Sequence, residues 1–561
     1  MMRWTDVVTR AALVLMLSLA SCGRDARLAE FVIVDANVLT MAEANPRADA
    51  IAVAGGRFIA VGKRDRIRDL IGEETRIVDL GGKTVLPGFN DAHMHPLGIP
   101  PGSVYLGPKS ISSMDGLLEA LRARAREIEE GEWILGWGYE DSKLGRHPER
   151  DDLDRVSRAH PILVFHSSGH IATTNSYALR SAEVGRDTPD PEGGSFDRDA
   201  DGEPTGVCRE RAAFDRLFTE ENPKPQPSLG EAVRSLGERF RIFHQDGITS
   251  IGDAWVTPGS FVAYLAAFAG GARMRVNLMF GDEHLRFARF ARWLDSLGIL
   301  DWIGRDLLRV GPIKVFHGNS LSGQTCWLYE PYADRADYYG VPPARNQDQL
   351  DRHLQEIHSA GFQLAVHSNG DREIDMALQS IDSALARQPR ADHRHRIEHA
   401  SIVNARILRR VKDLGVVLAL HSYIYEHGDK MVAYGERRFP WMHANRSALE
   451  MGIPVPGSSD FPVSAAHPMT RIQSLVTRAS ANGEVYGSEQ RLHPEQAVAV
   501  FTLGSAYASF EEAIKGSIEE GKLADFVVLS SDPTRTPPSQ LRKIRVDMTV
   551  IGGEIVFQRD E

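Results

Sequence analysis

Apolar positions along the chain fall into three kinds of run. In residues 1–22, MMRWTDVVTRAALVLMLSLASC, Arg3 and Arg10 precede an apolar stretch from Ala11 to Leu17 and then small residues. That order reads as a secretory leader, and the stretch is too short for a stable membrane span. Residues 28–84 hold short strand-like segments, FVIVDANVLTM, ADAIAVAGGRFIAVG and TRIVDLGGKTVLPG, in which Gly55-Gly56 and Gly81-Gly82 are hairpin turn signals. Residues 515–561 return to this pattern with KLADFVVLSSDP and IRVDMTVIGGEIVF. Neither end is long enough for a good core, so the two ends together predict one composite β-sandwich.

Between them, apolar runs alternate with helical patterns. Strands are predicted at 84–93, 247–253, 273–280, 308–316, 362–368, 395–400, 415–421 and 454–460. Alternating units imply a parallel sheet, and eight of them close a barrel. The expected fold class is therefore α/β: a (β/α)8 TIM-type barrel over residues 85–500. The stretch from about 96 to 245 is too long for one unit and predicts an inserted subdomain over the barrel mouth.

Composition changes this picture little. A chain of 561 residues exceeds a single core and agrees with several domains. The net charge of −11 argues against a nucleic-acid partner. Cysteine usage adds more. Leu19-Ala20-Ser21-Cys22 is similar to the bacterial lipobox, which implies cleavage before Cys22 and its acylation. The expectation is an exported bacterial lipoprotein, membrane-anchored through Cys22 and facing the periplasm or cell surface; Gly23 after the cysteine favours the outer membrane. An ordinary leader that happens to end in cysteine is the alternative. Cys208 and Cys326 remain, either as a disulfide, which export allows, or as small buried hydrophobes.

Candidate chemistry sits at the predicted strand ends, where barrels of this kind place their active sites. Strand one ends in Asp91-Ala92-His93-Met94-His95, with both histidines on one face. Strand five ends in His367, strand six in His399 and strand eight in Asp460. Strand four, within VGPIKVFHGNS, carries Lys314, an ammonium in an apolar run that is costly unless paired or neutralised. Each of these alone fits a hydrogen-bonded core residue. Together, at the ends of one barrel, they point to a metal site.

The segments TVLPGFNDAHMH, AVHSNGD, RIEHA and GSSDFPV, with the strand-four lysine, resemble the amidohydrolase superfamily. GHIATTNSYAL and EEGKLADFVVL resemble its family 3, the N-substituted formamide deformylase-like branch. The resemblance implies that His93, His95 and Asp460 hold one divalent metal and that His367 and His399 hold a second. Lys314 would bridge them as a carbamate formed with carbon dioxide. Zinc suits imidazole and carboxylate ligands best, with manganese, iron or nickel as alternatives. At a free-lysine pKa of about 10.4, roughly one amine in a thousand is neutral near pH 7, and burial raises that share. The implied reaction is hydrolysis of a small-molecule amide, formamide or cyclic amide C–N bond by a metal-bridging hydroxide. Asp460 would be the catalytic proton shuttle. His170 and Asn175, in the inserted segment, and His421 are expected to contact substrate, while Asp371 is expected to cap or brace a helix. Esterase, lactonase or deaminase chemistry, or a binding lipoprotein without catalysis, are the competing readings. Members of the superfamily often dimerise, so a homodimer is an expectation too. One departure stands out: where the branch resembles K-x-x-x-D-G-S, this chain has Lys314-Val-Phe-His317-Gly318-Asn319-Ser320. The loop beside the pocket is therefore altered.

Overall fold

The computed structural model describes residues 28–560 except 108, 109, 305 and 422. The expected leader and Cys22 lie outside the described residues. Seven parallel strands form the central sheet: β1 (Phe89–Met94), β2 (Ile248–Val256), β3 (Arg275–Gly281), β4 (Leu308–Phe316), β5 (Leu364–Ser368), β6 (Arg396–His399) and β7 (Val417–Leu420). They neighbour one another in chain order from β1 to β7. Being packed on both faces, they are buried almost throughout, as parallel strands under helices must be. The helices between them present spaced apolar residues to the sheet. The helix Leu229–Gln245 is started by a Ser228/Glu231 capping box and buries Ala232, Leu236, Phe240 and Phe243.

The eighth predicted strand is not a regular one. Residues 454–460 occupy the gap between β7 and β1 without a ladder. Pro454 and Pro456 supply no N–H, so a continuous ladder cannot form there. Isolated bonds close the barrel instead: Leu418 N–H donates to Pro454 O, Ala92 N–H to Gly457 O, and Asp460 N–H to His93 O.

Strands from the two chain ends share a sheet. Thr84–Pro87 pairs antiparallel with Phe526–Leu529, which pairs with Val546–Ile551. A four-stranded sheet from Phe31 to Asp79 packs on it through Phe31, Val53, Phe58, Val85, Phe526 and Val550. Gly55 and Gly56, both at positive φ, close the hairpin between Ala50–Ala54 and Arg57–Gly62. Gly81-Gly82 does not close one: it carries the chain from Arg76–Asp79 in the smaller sheet to Thr84–Pro87 in the larger. A buried Arg275–Asp525 pair ties β3 to the terminal sheets. Between β1 and β2 the chain builds a six-stranded sheet, from Val104–Tyr105 to Pro204–Arg209, with its own apolar clusters. Cys208 and Cys326 are both buried and free.

Candidate metal centre

The C-terminal strand ends bring the sequence-predicted residues together. Register places Lys314 beside Gly281 and Ala365, His367 beside Glu398, and His399 beside Leu420. His93 and Lys314 are buried, and Lys314 Nζ lies 3.2 Å from His93 Nε2. Asp460 Oδ1 lies 3.4 Å from His93 Nε2 and 3.2 Å from His95 Nε2. These approaches lack hydrogen-bond geometry, so Oδ1 is a buried oxygen without a partner. Two ligand atoms each 2.0–2.1 Å from a tetrahedral ion sit about 3.3 Å apart. Both approaches to Oδ1 thus have the spacing of polyhedron edges, and all three donor atoms lie within 4.8 Å of one another.

Neighbouring groups fix which nitrogens carry lone pairs. His93 Nδ1 donates to Glu398 Oε2 at 2.5 Å, which leaves Nε2 as the free acceptor. Glu398 is itself gripped by Arg396 through Nε at 2.7 Å and Nη2 at 2.9 Å. Burial would raise the Glu398 carboxyl, but Arg396 and His93 hold it well below the usual carboxylate range. Tyr423 O–H donates to Asp460 Oδ2 at 2.6 Å and accepts from His399 Nδ1 at 3.1 Å, turning His399 Nε2 into the lone-pair atom. Burial also raises the Asp460 carboxyl, yet the His93 and His95 imidazoles hold it well below its ordinary value. Burial lowers His95 to about 4 and drives His367, His399 and His421 well below the ordinary imidazole value. All four rings are therefore neutral near pH 7, the form that binds a metal. Burial lowers Lys314 to about 8, against the pull of Glu398 and Asp460.

Two groups of donors approach within 4.8 Å of one another around His93: His93, His95 and Asp460, and His93, His399 and His421. His421 is thus brought in as a candidate ligand and not as a pocket-facing contact. It is fully buried, its Nδ1 lies 2.8 Å from Ser458 Oγ, and its Nε2 has no partner. His367 stands 4.2 Å from His399 by ring centroid, but its donor atoms fall outside both groups, and its Nε2–H donates to Asn319 O at 3.1 Å. His170 reaches the site from the inserted sheet, stacking on Phe316 at 5.3 Å and lying 5.1 Å from His367. Its Nδ1 donates to buried Glu210 at 2.6 Å. Asn175 is not brought to the site. Its side chain caps the helix Ser176–Ser181 through Ala178 N–H, accepts from Ile162 N–H and donates to Ser157 O and His160 O. Every polar atom is thereby consumed in the inserted sheet, so the residue is a structural cap. Asp371 opens the helix Asp371–Arg387 and accepts from Tyr329 N–H at 3.1 Å.

Backbone strain marks the same place. His399 and Asp460 hold φ of 72° and 56°. A non-glycine residue in that region costs roughly 1–3 kcal/mol and persists where the surroundings demand it. Glu398, Arg396 and Tyr423 were not singled out in the sequence. The signal for the first two was present, since Arg and Glu two apart on an apolar strand share one face. The cavity over the metal-ligand cluster, walled by Ser168, His170, His367, Tyr423 and Asp460, holds only about 20 Å³. A larger cavity of about 720 Å³ lies at the opposite, N-terminal end of the strands, against Val310, Gly311 and Gln363, far from this chemistry.

Comparisons with known proteins agree with this architecture. The chain is 30% identical to YtcJ of Bacillus subtilis over 537 residues, covering 93% of this chain and 98% of that protein. It is 29% identical to the N-substituted formamide deformylase of Arthrobacter pascens over 553 residues, 95% and 99% of the two chains. Among solved structures, an uncharacterized metal-dependent hydrolase of Pyrococcus horikoshii superposes with a TM-score of 0.70 at 24% identity, covering 91% of this chain and 99% of that one. A metal-dependent hydrolase of Pyrococcus furiosus gives 0.67 at 26% identity, covering 90% and 100%. The pattern of the amidohydrolase family matches residues 76–557, most of the sequence, and the chain belongs to that family.

Proposed function

We propose that the protein hydrolyses a C–N bond of an amide-type small molecule at a metal centre held by His93, His95 and Asp460, with His399, His421 and Lys314 completing it. The observation that carries this is the unpartnered Asp460 Oδ1 at 3.2–3.4 Å from two imidazole nitrogens. Neutral imidazoles and one carboxylate suit zinc. When bound, the metal supplies a Lewis acid for the substrate carbonyl and acidifies water near neutral pH. The chain's own residues do the rest. Tyr423 pins Oδ2 and turns Oδ1 toward His93 and His95, so this one carboxylate would serve both as a metal donor and as the acceptor of a proton from the attacking water, which it passes to the departing amine. Glu398 and Arg396 keep His93 in the tautomer that offers Nε2. Lys314, with its ammonium disfavoured by burial, is placed to react with carbon dioxide and present two carbamate oxygens to the cluster. The partly buried His170, gripped by Glu210, would touch substrate beside His367.

An N-substituted formamide or related amide fits the relative named for deformylating such compounds. Gly318, in place of the aspartate of the branch pattern, moves the substrate away from a direct transfer of that specificity. A Cβ at Gly318 would lie 2.6 Å from the buried Glu373 carboxylate, so the loop is shaped around a different acid. The leader-like sequence and Cys22 support export and anchoring, and on that reading the reaction would run at a membrane surface outside the cytoplasm. Metal analysis together with hydrolysis of a panel of formamides, N-acyl amines, lactams and esters tests the reading. Purified, zinc-supplemented protein is expected to hold at least one equivalent and to lose amide hydrolysis on chelation and in Asp460→Asn. Less than about half an equivalent of transition metal, with chelator-resistant activity, would refute it.

A further inference from the structure

The helix Leu285–Ser296 follows β3 and docks on the barrel by Leu285, Ala288 and Ala291, which are buried. The outward face of such a helix is ordinarily polar. Here it carries large apolar side chains. Phe290, Trp293 and Leu297, the last at the C-cap, are 49%, 55% and 55% exposed, and Ile299 just beyond is 45% exposed. The Phe290 and Trp293 rings lie 6.0 Å apart. With about 100° of turn per residue, positions 286, 289, 290, 293 and 297 fall in one stripe about 100° wide. The other two members are Arg286 and Arg289, both exposed and without an ion-pair partner among the described residues. Single apolar residues scattered on a surface need no explanation, but large ones on successive turns of one helix face do.

Charge separates the possible occupants. The helix has one acid, Asp295, nine residues on from Arg286 and so on the far side of the helix. Glu283, just before the helix, already faces Arg211 and His284, each at 3.8 Å. A second copy docked by two-fold symmetry sets the stripe against itself. That brings four arginines together with no carboxylate on either stripe, which opposes association. An anionic lipid surface meets the same side chains favourably, with arginine among the headgroups, the aromatic rings at the boundary and leucine and isoleucine below it.

The start of the chain points to the same occupant. The six steps from Cys22 to Leu28 reach no more than about 20 Å when fully extended. Close to Leu28, Glu30 accepts from Gly55 N–H at 3.1 Å. Arg57, in the same hairpin, pairs with Asp306 at 3.0 Å, three residues after the turn Ile299–Ile303. Cys22 and the Ile299 end of the stripe are therefore within reach of one surface.

From this face and this tether, we propose that the stripe from Arg286 to Ile299 docks the barrel on an anionic phospholipid surface. The proposal is independent of the hydrolytic reading and adds a second contact to the anchor expected at Cys22. A crossover helix runs back against its strand, so with this helix flat on the lipid the barrel axis lies along the bilayer and the mouth opens beside it.

Flotation with vesicles tests this on the processed chain, residues 23–561, which lacks the acyl group and keeps every described residue. Vesicles of phosphatidylglycerol with phosphatidylethanolamine are expected to bind it about 25-fold more tightly than phosphatidylcholine alone, from two arginines at the surface. Arg286→Gln with Arg289→Gln should remove that preference and leave binding to phosphatidylcholine unchanged. Phe290→Ser with Trp293→Ser should weaken binding to both vesicle types at least about ten-fold. All four positions are exposed or half-exposed, so the urea unfolding transitions should match wild type. Failure of wild type to float with either vesicle, equal binding to the two, or variants that bind like wild type overturns the proposal. So does a wild-type dimer in light scattering that Trp293→Ser converts to monomers, since the stripe then belongs to a second copy.

Discussion

Glu398 lies behind the metal site, and replacing it separates positioning from folding. It is fully buried, takes two hydrogen bonds from Arg396, itself fully buried, and one from His93 Nδ1. Glu398→Gln keeps the volume and one carbonyl but strands the guanidinium. Breaking a buried pair from one side costs about 3–5 kcal/mol. With one amide oxygen still available, the lower end applies, about 3 kcal/mol. Loss of the carboxylate that orients a ligand imidazole costs about 10–100-fold in metal affinity. The first quantity is read from the urea unfolding transition of the metal-free barrel, the second from competition with a zinc chelator. A double variant, Arg396→Met with Glu398→Gln, removes the stranded charge. It is expected to recover most of the stability, since apolar replacement of a buried pair is often neutral. It should recover none of the zinc affinity, because His93 still lacks its orienting carboxylate. Wild-type zinc affinity in Glu398→Gln, or recovery of affinity together with stability in the double variant, would refute the assigned tautomer of His93.

Three further outcomes are expected. Lys314→Ala loses bound metal and amide hydrolysis, with partial rescue by short carboxylic acids such as propionate; a fully active alanine variant in a turnover assay contradicts the bridging role. Tyr423→Phe leaves Asp460 Oδ2 and His399 Nδ1 without their shared partner. It should lower kcat about 10–100-fold with little change in KM, measured on whichever amide is turned over. His244 is lowered by burial to about 4 while its Nε2 bonds Arg273 O at 2.7 Å. The unfolded chain takes this proton near 6.5 and the folded chain only near 4, so the contribution is whole above 6.5 and is lost as pH falls. His244→Gln keeps a donor and does not titrate. Its urea stability should decline less steeply than wild type between pH 6.5 and 4, by about 1.4 kcal/mol per pH unit, and parallel curves would exclude the effect.

The barrel was legible because strands such as β3 and β7 are apolar runs with helical patterns between units, while β1 and β6, FNDAHM and RIEH, were placed by their motifs. The eighth position was legible only by its motif. Pro454 and Pro456 break the ladder, and chain-order hydrophobicity does not distinguish a strand from a segment held by isolated bonds. Asp460 was still found, because GSSDFPV carries it whatever the local backbone does. The second half of the site shows why residue lists run short. Alternation along β6 puts Arg396 and Glu398 on one face and would send His399 to the other. All three nonetheless serve the same cluster, because His399 leaves the extended region, at φ 72°, just where the strand ends. Period-two reasoning therefore supports either the carboxylate or the histidine, not both, and the motif RIEHA directs attention to the histidine. Asn175 fails in the opposite way. NSYAL reads equally as a substrate contact and as a helix N-cap, since both use the same short amide, and only the accounting of its four hydrogen bonds decides for the cap. The open oxygen of Asp460 inverts that accounting: a buried polar group whose bonds are complete belongs to the fold, and one left open beside a cavity among neutral imidazoles is the place to seek a ligand.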